Sequence, residues 1–178
     1  MAQMGDLLFE FTQWLYTTPL NGFAQRMSES AFSLWLVERF WAIPILQVWH
    51  ILAIAGSFAA VLMLSLRVFG LAGHATLAET SRRYTRVLWW SLAMVILSGV
   101  LMLFGDTVRN LLNSIFWLKM AMVVTAILIA LAYSRSLARL ATTNGEVAGG
   151  GVKLTAAFLV ILWCAIMFAG RWIAYAPS

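Results

Sequence analysis

One histidine and one lysine stand inside long apolar stretches of the sequence, where ionisable residues are rare. His50 lies in the uncharged run 40–66, and Lys119 lies in the apolar run 115–133. An ionisable side chain is costly to bury in a membrane, so each of these residues is a candidate functional residue. An imidazole can bind a metal or a haem iron, and an ammonium can pair with an anionic group.

Polar and sulfur-bearing side chains accompany these two residues. Gln47 and Ser57 fall on the helical face of His50, because they are separated from it by three and seven residues. Arg171 closes the last apolar stretch. Thioether and imidazole ligands together suit Cu(I). The methionines expected at the depth of His50 are Met102, Met120, Met122 and Met167.

Few other metal ligands are available. The chain has two histidines and one cysteine, which excludes an internal disulfide and a cysteine-based metal cluster. His74 follows His50 by 24 residues, which is roughly 36 Å along a continuous helix. The two histidines therefore cannot bind one metal within a single chain. A bis-histidine haem would need His50 from two subunits or a histidine from a partner, whereas a His–Met pair is feasible within one chain.

The composition places these residues in a membrane protein. The chain has 178 residues, is 62% hydrophobic and 11% charged, and has a mean hydropathy of +0.87. Soluble domains are about 45–50% apolar and about 25% charged. This composition excludes a soluble enzyme, a disordered tail and a nucleic-acid-binding module. The net charge of +5 comes from basic residues spread between apolar runs, which is the pattern of topology signals.

Four apolar runs are long enough to cross a bilayer. A helix needs about 20 apolar residues to span about 30 Å of hydrocarbon. Open strands cannot satisfy their backbone hydrogen bonds in lipid, so we expect an all-α integral membrane protein with a four-helix bundle. The predicted transmembrane helices cover about 41–66, 87–105, 115–134 and 153–172.

The first 40 residues are amphipathic, in contrast to the four uniformly apolar runs. Apolar residues recur there at helical spacing opposite acidic and polar ones, which predicts amphipathic helices at the membrane interface. The apolar set is Leu7, Leu8, Phe11, Trp14 and Leu15. Thr18-Pro19 predicts a helix cap followed by proline at the first helical position. We therefore expect an extracytoplasmic amphipathic segment over 1–40 and a four-span domain over 41–178.

The distribution of basic residues predicts the orientation. Seven of them flank the loops after the first and third spans, and cytoplasmic loops carry the excess of Lys and Arg. These residues are Arg67, Arg82, Arg83, Arg86, Arg135, Arg139 and Lys153. We therefore expect both termini outside the cytoplasm. His50 then lies roughly 13 Å below the outer end of its span, at 1.5 Å per residue.

Three segments resemble bacterial membrane proteins. The stretch 47–74 resembles the opening span of small four-helix proteins of the copper-resistance D type and of the membrane-embedded protoporphyrinogen oxidase that carries haem b. The segment FWLKMAMVV (116–124) is similar to the lysine-bearing third span of that oxidase. The ending GRWIAY (170–175), together with Thr18-Pro19-Leu20, resembles an uncharacterised family of short bacterial inner-membrane proteins.

This resemblance implies an inner-membrane location and two possible cofactors. With haem b, His50 would be an axial ligand, a group such as Gln47 or Ser57 would fix its other ring nitrogen, and Lys119 and Arg171 would pair with the propionates. The chain would then be an electron-transfer or oxidoreductase subunit. With copper, His50 and the four methionines would supply the ligands of a copper-handling protein. A cofactor-free accessory subunit of a membrane complex is the third possibility.

The exposed loops are too short to hold a soluble catalytic domain. We therefore expect the chain to act in the lipid bilayer as a homo-oligomer or as a subunit of a larger membrane complex, with no nucleic-acid partner. The residues assign no catalytic group, and the sequence leaves open whether the chain is an enzyme.

Overall fold

The structure, a computed structural model, describes residues 2–71, 76–142 and 148–172. These residues form eight α-helices and no strand. The predicted all-α class is therefore confirmed. The helices are α1 (Ala2–Thr17), α2 (Pro19–Ser28), α3 (Ala31–Val37), α4 (Ala42–Val68), α5 (Leu77–Gly105), α6 (Thr107–Leu111), α7 (Ser114–Thr142) and α8 (Gly150–Trp172).

Four of these helices, α4, α5, α7 and α8, are long and apolar enough to cross a membrane. Each contains one predicted span. Two of them continue beyond the apolar run: α5 begins at Leu77 rather than near 87, and α7 ends at Thr142 rather than near 134. The predicted ends differ because hydropathy detects only the apolar part of a helix, whereas the backbone hydrogen bonds continue into its charged flank.

The early start of α5 has a local cause in the sequence. Thr76 and Glu79 form a capping box, in which the Glu79 N–H donates to Thr76 Oγ1 at 3.3 Å and the Thr76 N–H donates to Glu79 Oε2 at 3.2 Å. These bonds satisfy two N–H groups that the start of a helix would otherwise leave without partners.

The predicted boundary between α1 and α2 is also present. Thr18 is the N-cap residue of α2 and Pro19 is its first residue. The Thr18 hydroxyl does not cap α2, however, because it donates to the carbonyl oxygen of Leu15 at 2.6 Å. This bond lies at the end of α1. The fixed φ angle of Pro19 suits the first position of α2.

The first helix, α1, exposes most of its large apolar side chains. Leu7 is 65% exposed and Trp14 is 57% exposed, as expected for a helix whose apolar face contacts lipid. Leu15 is buried instead, and so is the polar Thr12. Thr12 Oγ1 accepts from the Ser114 N–H at 3.4 Å, so α1 contacts the first residue of α7.

The residues divide into two compact units. Unit 1 comprises Met1–His50, Ile96–Ala121 and Ile166–Ser178, and unit 2 comprises Ile51–Val95 and Met122–Ala165. Each of the four long helices contributes one part to each unit. By sequence, unit 1 carries five basic and five acidic residues, whereas unit 2 carries seven basic and two acidic residues. The net charge of +5 therefore belongs to unit 2.

Candidate functional site

His50 is held by a residue of a second membrane-spanning helix. It is the ninth residue of α4, and its Nδ1 lies 2.8 Å from Oγ of Ser98 on α5. Ser98 is only 3% exposed, and His50 is partly buried. A serine hydroxyl can either accept from a protonated Nδ1 or donate to an unprotonated one. Where Ser98 accepts, the lone pair of the ring is on Nε2, the nitrogen that would coordinate a metal.

The residue after Ser98 leaves room for the imidazole. A β-carbon built on Gly99 would lie 3.5 Å from Cε1 of His50, which is ordinary van der Waals contact. The ring therefore lies beside the backbone of α5 at Gly99. Ser98 holds the imidazole through this hydrogen bond, and Gly99 lies beside the ring.

Lys119 lies against α8. A β-carbon built on Gly170 would be 3.6 Å from both Cε and Nζ of Lys119, so the end of the lysine side chain lies beside Gly170. Lys119 is partly buried. Within the described ranges, no hydrogen bond or ion pair joins its ammonium to another residue. Gly170 directly precedes Arg171 in the chain, so Lys119 lies beside the residue next to Arg171.

Unit 1 contains most of the predicted site residues. His50, Lys119 and all but two of their predicted companions fall in its ranges. The companions are Gln47, Met102, Met120, Met167 and Arg171. The three methionines are partly buried, whereas Gln47 and Arg171 are exposed.

Two of the predicted companion residues lie outside unit 1. Met122 belongs to the range of unit 2. Ser57 also belongs to unit 2, where it is fully buried and its hydroxyl donates to the Ile54 carbonyl oxygen at 2.8 Å. His74 lies outside the described residues.

Ser98 is the site residue that the sequence analysis did not find. Spacing along one helix is visible in a sequence, and it pointed only to orienting partners on α4 itself, Gln47 and Ser57. A signal for Ser98 was nevertheless present. His50 lies eight residues after the start of α4 and Ser98 lies seven residues before the end of α5, so antiparallel neighbours would place them at one depth.

The described ranges restrict which metals could bind. They contain no group of three or more His, Cys, Asp or Glu side chains that could hold a metal ion. A site built on His50 would therefore depend on one imidazole and on thioethers. Haem iron and Cu(I) both accept that combination of ligands.

The comparisons with known proteins identify a family. Residues 33–176 match a family described as a family of unknown function (DUF6644), so the chain belongs to that family. The match includes all four membrane-spanning helices and every residue of the candidate site. No curated protein and no solved structure matches the chain. The expected membership of an uncharacterised family of membrane proteins is thus confirmed in this coarser form.

Proposed function

We propose that this member of the family is a membrane-embedded haem b protein that serves electron transfer in a homo-oligomer or a larger oxidoreductase complex. The observation that carries the proposal is the 2.8 Å contact between His50 Nδ1 and Oγ of the buried Ser98. Histidines that bind metals almost always have their second ring nitrogen fixed by a hydrogen bond. A haem bound at His50 would supply one-electron chemistry within the bilayer.

The chemistry of the residues in unit 1 fits a haem group. His50 offers an imidazole, and His–Met ligation is one of the established ways in which proteins hold haem iron. Lys119 and Arg171 offer two cations for carboxylates. Three methionines of the same unit offer a thioether as second ligand, namely Met102, Met120 and Met167.

The position of Lys119 supports an anionic partner. A partly buried ammonium is costly unless an anion compensates its charge. Within the described ranges the structure supplies Lys119 with no carboxylate. A carboxylate of a bound group near Gly170 would satisfy the ammonium, whose Nζ lies beside that glycine. In this proposal Lys119 orients the cofactor and does not take part in electron transfer itself.

The first experiment measures haem in the purified full-length protein, expressed with added haem precursor. We expect a reduced-minus-oxidised spectrum with the bands of a b-type haem. His50→Ala should abolish or shift that spectrum in protein that still elutes as the wild type does. The matched control is His74→Ala, which removes the chain's other histidine and should leave the spectrum unchanged.

Two results would contradict the haem proposal. One is a wild-type protein without haem, and the other is a haem spectrum that is unchanged in His50→Ala. If the haem-free protein binds Cu(I) and His50→Ala lowers that affinity, copper handling takes its place, and substitution of the methionines would identify the other ligands. The resemblance to copper-resistance D proteins and to the haem b oxidase stays a prediction.

We also propose a bacterial inner-membrane location with both termini outside the cytoplasm. The support is the excess of basic residues in unit 2, because basic loops remain in the cytoplasm. In a Cys164→Ala background, Gly105→Cys should react with an impermeant thiol reagent in intact cells. Thr143→Cys should react only after lysis. The opposite labelling pattern would reverse the orientation.

A further inference from the structure

Unit 2 contains a pocket with charged, hydroxyl and apolar side chains in its lining, which the proposed haem site does not use. The pocket has a volume of about 770 Å³ and lies between α5 and α7. The lining residues that matter to its chemistry are Glu79, Arg82, Thr85, Arg86, Trp89 and Ser134.

Two arginines give the pocket a positive character. Arg82 and Arg86 are four residues apart on α5, so they lie on the same face of the helix. Neither forms a hydrogen bond or an ion pair within the described ranges. The carboxylate of Glu79, which also lines the pocket, accepts from the backbone N–H of Thr76 in the capping box. Glu79 therefore serves the start of the helix, and both guanidinium groups remain available to a ligand.

Two buried hydroxyls add hydrogen-bonding capacity to the pocket. Thr85 Oγ1 and Ser134 Oγ are buried and have no hydrogen-bond partner among the described residues. Both residues line the pocket, one from α5 and one from α7. An unsatisfied buried hydroxyl is unfavourable, and rotation of these two side chains about χ1 would turn both hydroxyls toward a ligand with acceptor oxygens.

We propose that this pocket binds the phosphate-bearing headgroup of an anionic phospholipid. The planar forks of two arginines suit phosphate oxygens, and hydroxyl donors complete such a site. Basic pockets between membrane helices recognise anionic headgroups in this way.

The position of the pocket along α5 favours a lipid over a soluble phosphate. Arg86 is followed directly by the apolar run that begins at Val87, and Trp89 lines the pocket. Tryptophan is enriched at the level of the headgroups, where a helix passes from water into hydrocarbon. A headgroup bound at Arg82 and Arg86 would therefore leave its acyl chains beside the apolar part of the helix.

The test is native mass spectrometry of the detergent-solubilised full chain, titrated separately with phosphatidylglycerol, phosphatidylcholine and inorganic phosphate. We expect phosphatidylglycerol to bind at least about tenfold more tightly than phosphatidylcholine, because the choline cation of phosphatidylcholine cancels the charge of its phosphate and is repelled by the two arginines. Inorganic phosphate should not displace the lipid at equal concentration. Equal binding of the two lipids, or displacement by inorganic phosphate, would overturn the lipid assignment.

Matched variants connect this binding to the pocket. Arg82→Gln/Arg86→Gln should weaken phosphatidylglycerol binding by about tenfold or more. The control is Arg83→Gln/Arg135→Gln, which removes the same charge from exposed positions of α5 and α7 outside the lining. An equal loss of binding in both variants would show that binding depends only on the total charge of the chain, and it would overturn the proposal.

A conservative variant separates charge from geometry. Arg82→Lys/Arg86→Lys keeps both charges but removes the planar forks. We therefore expect its affinity for phosphatidylglycerol to lie between that of the wild type and that of the glutamine variant. Thr85→Val/Ser134→Ala should weaken binding without any change in charge. Wild-type affinity in both of these variants would contradict recognition by the pocket.

Discussion

Unit 1 and unit 2 contain parts of the same four helices but differ in how they carry charge. In unit 1 the five basic residues are balanced by five acidic ones, and its unusual residues are His50 and Lys119, which stand inside apolar stretches. In unit 2 the seven basic residues stand at or beyond the ends of the apolar runs. The net charge of the chain therefore comes from residues that flank the apolar runs of unit 2, whereas the two candidate site residues inside apolar runs lie in unit 1, whose charges balance.

Two glycines of α4 and α5, Gly99 in unit 1 and Gly56 in unit 2, differ in the space around them. In unit 1 a β-carbon at Gly99 would lie 3.5 Å from the His50 ring, which leaves ordinary contact. In unit 2 a β-carbon at Gly56 would lie 2.7 Å from Ser91 Oγ, which is too close without a shift. Gly56 therefore lets Ser91 approach the backbone of α4, whereas a β-carbon at position 99 would be tolerated beside His50.

The largest difference between the two units is expected in haem affinity when the lysine of each unit is substituted. Lys119→Met in unit 1 should weaken haem retention by about 10- to 100-fold, the equivalent of one hydrogen bond to a charged group. Lys119→Arg should preserve part of the affinity because it keeps a cation. Haem affinity is measured by titration of the haem-depleted protein.

The chain's other lysine, Lys153 in unit 2, provides the control. Lys153→Met should leave haem affinity unchanged, because that residue stands at the start of α8 and far along the chain from Gly170. Equal haem affinity in the wild type, Lys119→Met and Lys153→Met would show that Lys119 has no role in holding the cofactor.

A smaller effect is expected from the serine that orients the histidine. Ser98→Ala should lower haem affinity by about tenfold, the lower end of the range for residues that orient a metal ligand. It should also shift the reduction potential, which a merely structural role would not do. Ser98→Thr keeps the hydroxyl and should restore both values. The matched variant Ser91→Ala, on the same helix in unit 2, should change neither.

The smallest effect concerns the two glycines. Gly56→Ala should be less stable than Gly99→Ala by about 1–2 kcal/mol, because only the first introduces a close contact. Unfolding in mixed micelles measures this difference. Gly56→Ala/Ser91→Ala removes the hydroxyl from the contact and should recover most of the loss. Equal stability of the two single variants would show that the close contact between position 56 and Ser91 does not affect the free energy of unfolding.

The sequence predicted the helices well wherever an apolar run and a helix end at the same place. The starts of α4 at Ala42 and of α7 at Ser114 and the end of α5 at Gly105 agree with the prediction to within one residue. The short α6 was missed because its five residues are too few to show a period. It packs against α2, a contact between distant parts of the chain that no local pattern reveals.

The candidate site was predictable in its residue types but not in its contacts. His50 and Lys119 stood out because ionisable residues in apolar runs are visible without a structure. The contact of His50 with Ser98 and that of Lys119 with Gly170 depend on which helices are neighbours, and a single sequence does not contain that information. Serine and glycine are also common in membrane helices, so their types alone mark no site.

The most direct test of the account is chemical rescue of the proposed axial ligand. His50→Gly removes the imidazole, and the purified variant should lose the normal spectrum of the bound haem. Added imidazole should restore that spectrum with a dependence on concentration that saturates, since the free ring would occupy the vacated position next to Ser98 and Gly99. A His50→Gly protein that keeps the wild-type haem spectrum without imidazole would contradict the account, and so would a haem-depleted variant that imidazole does not rescue.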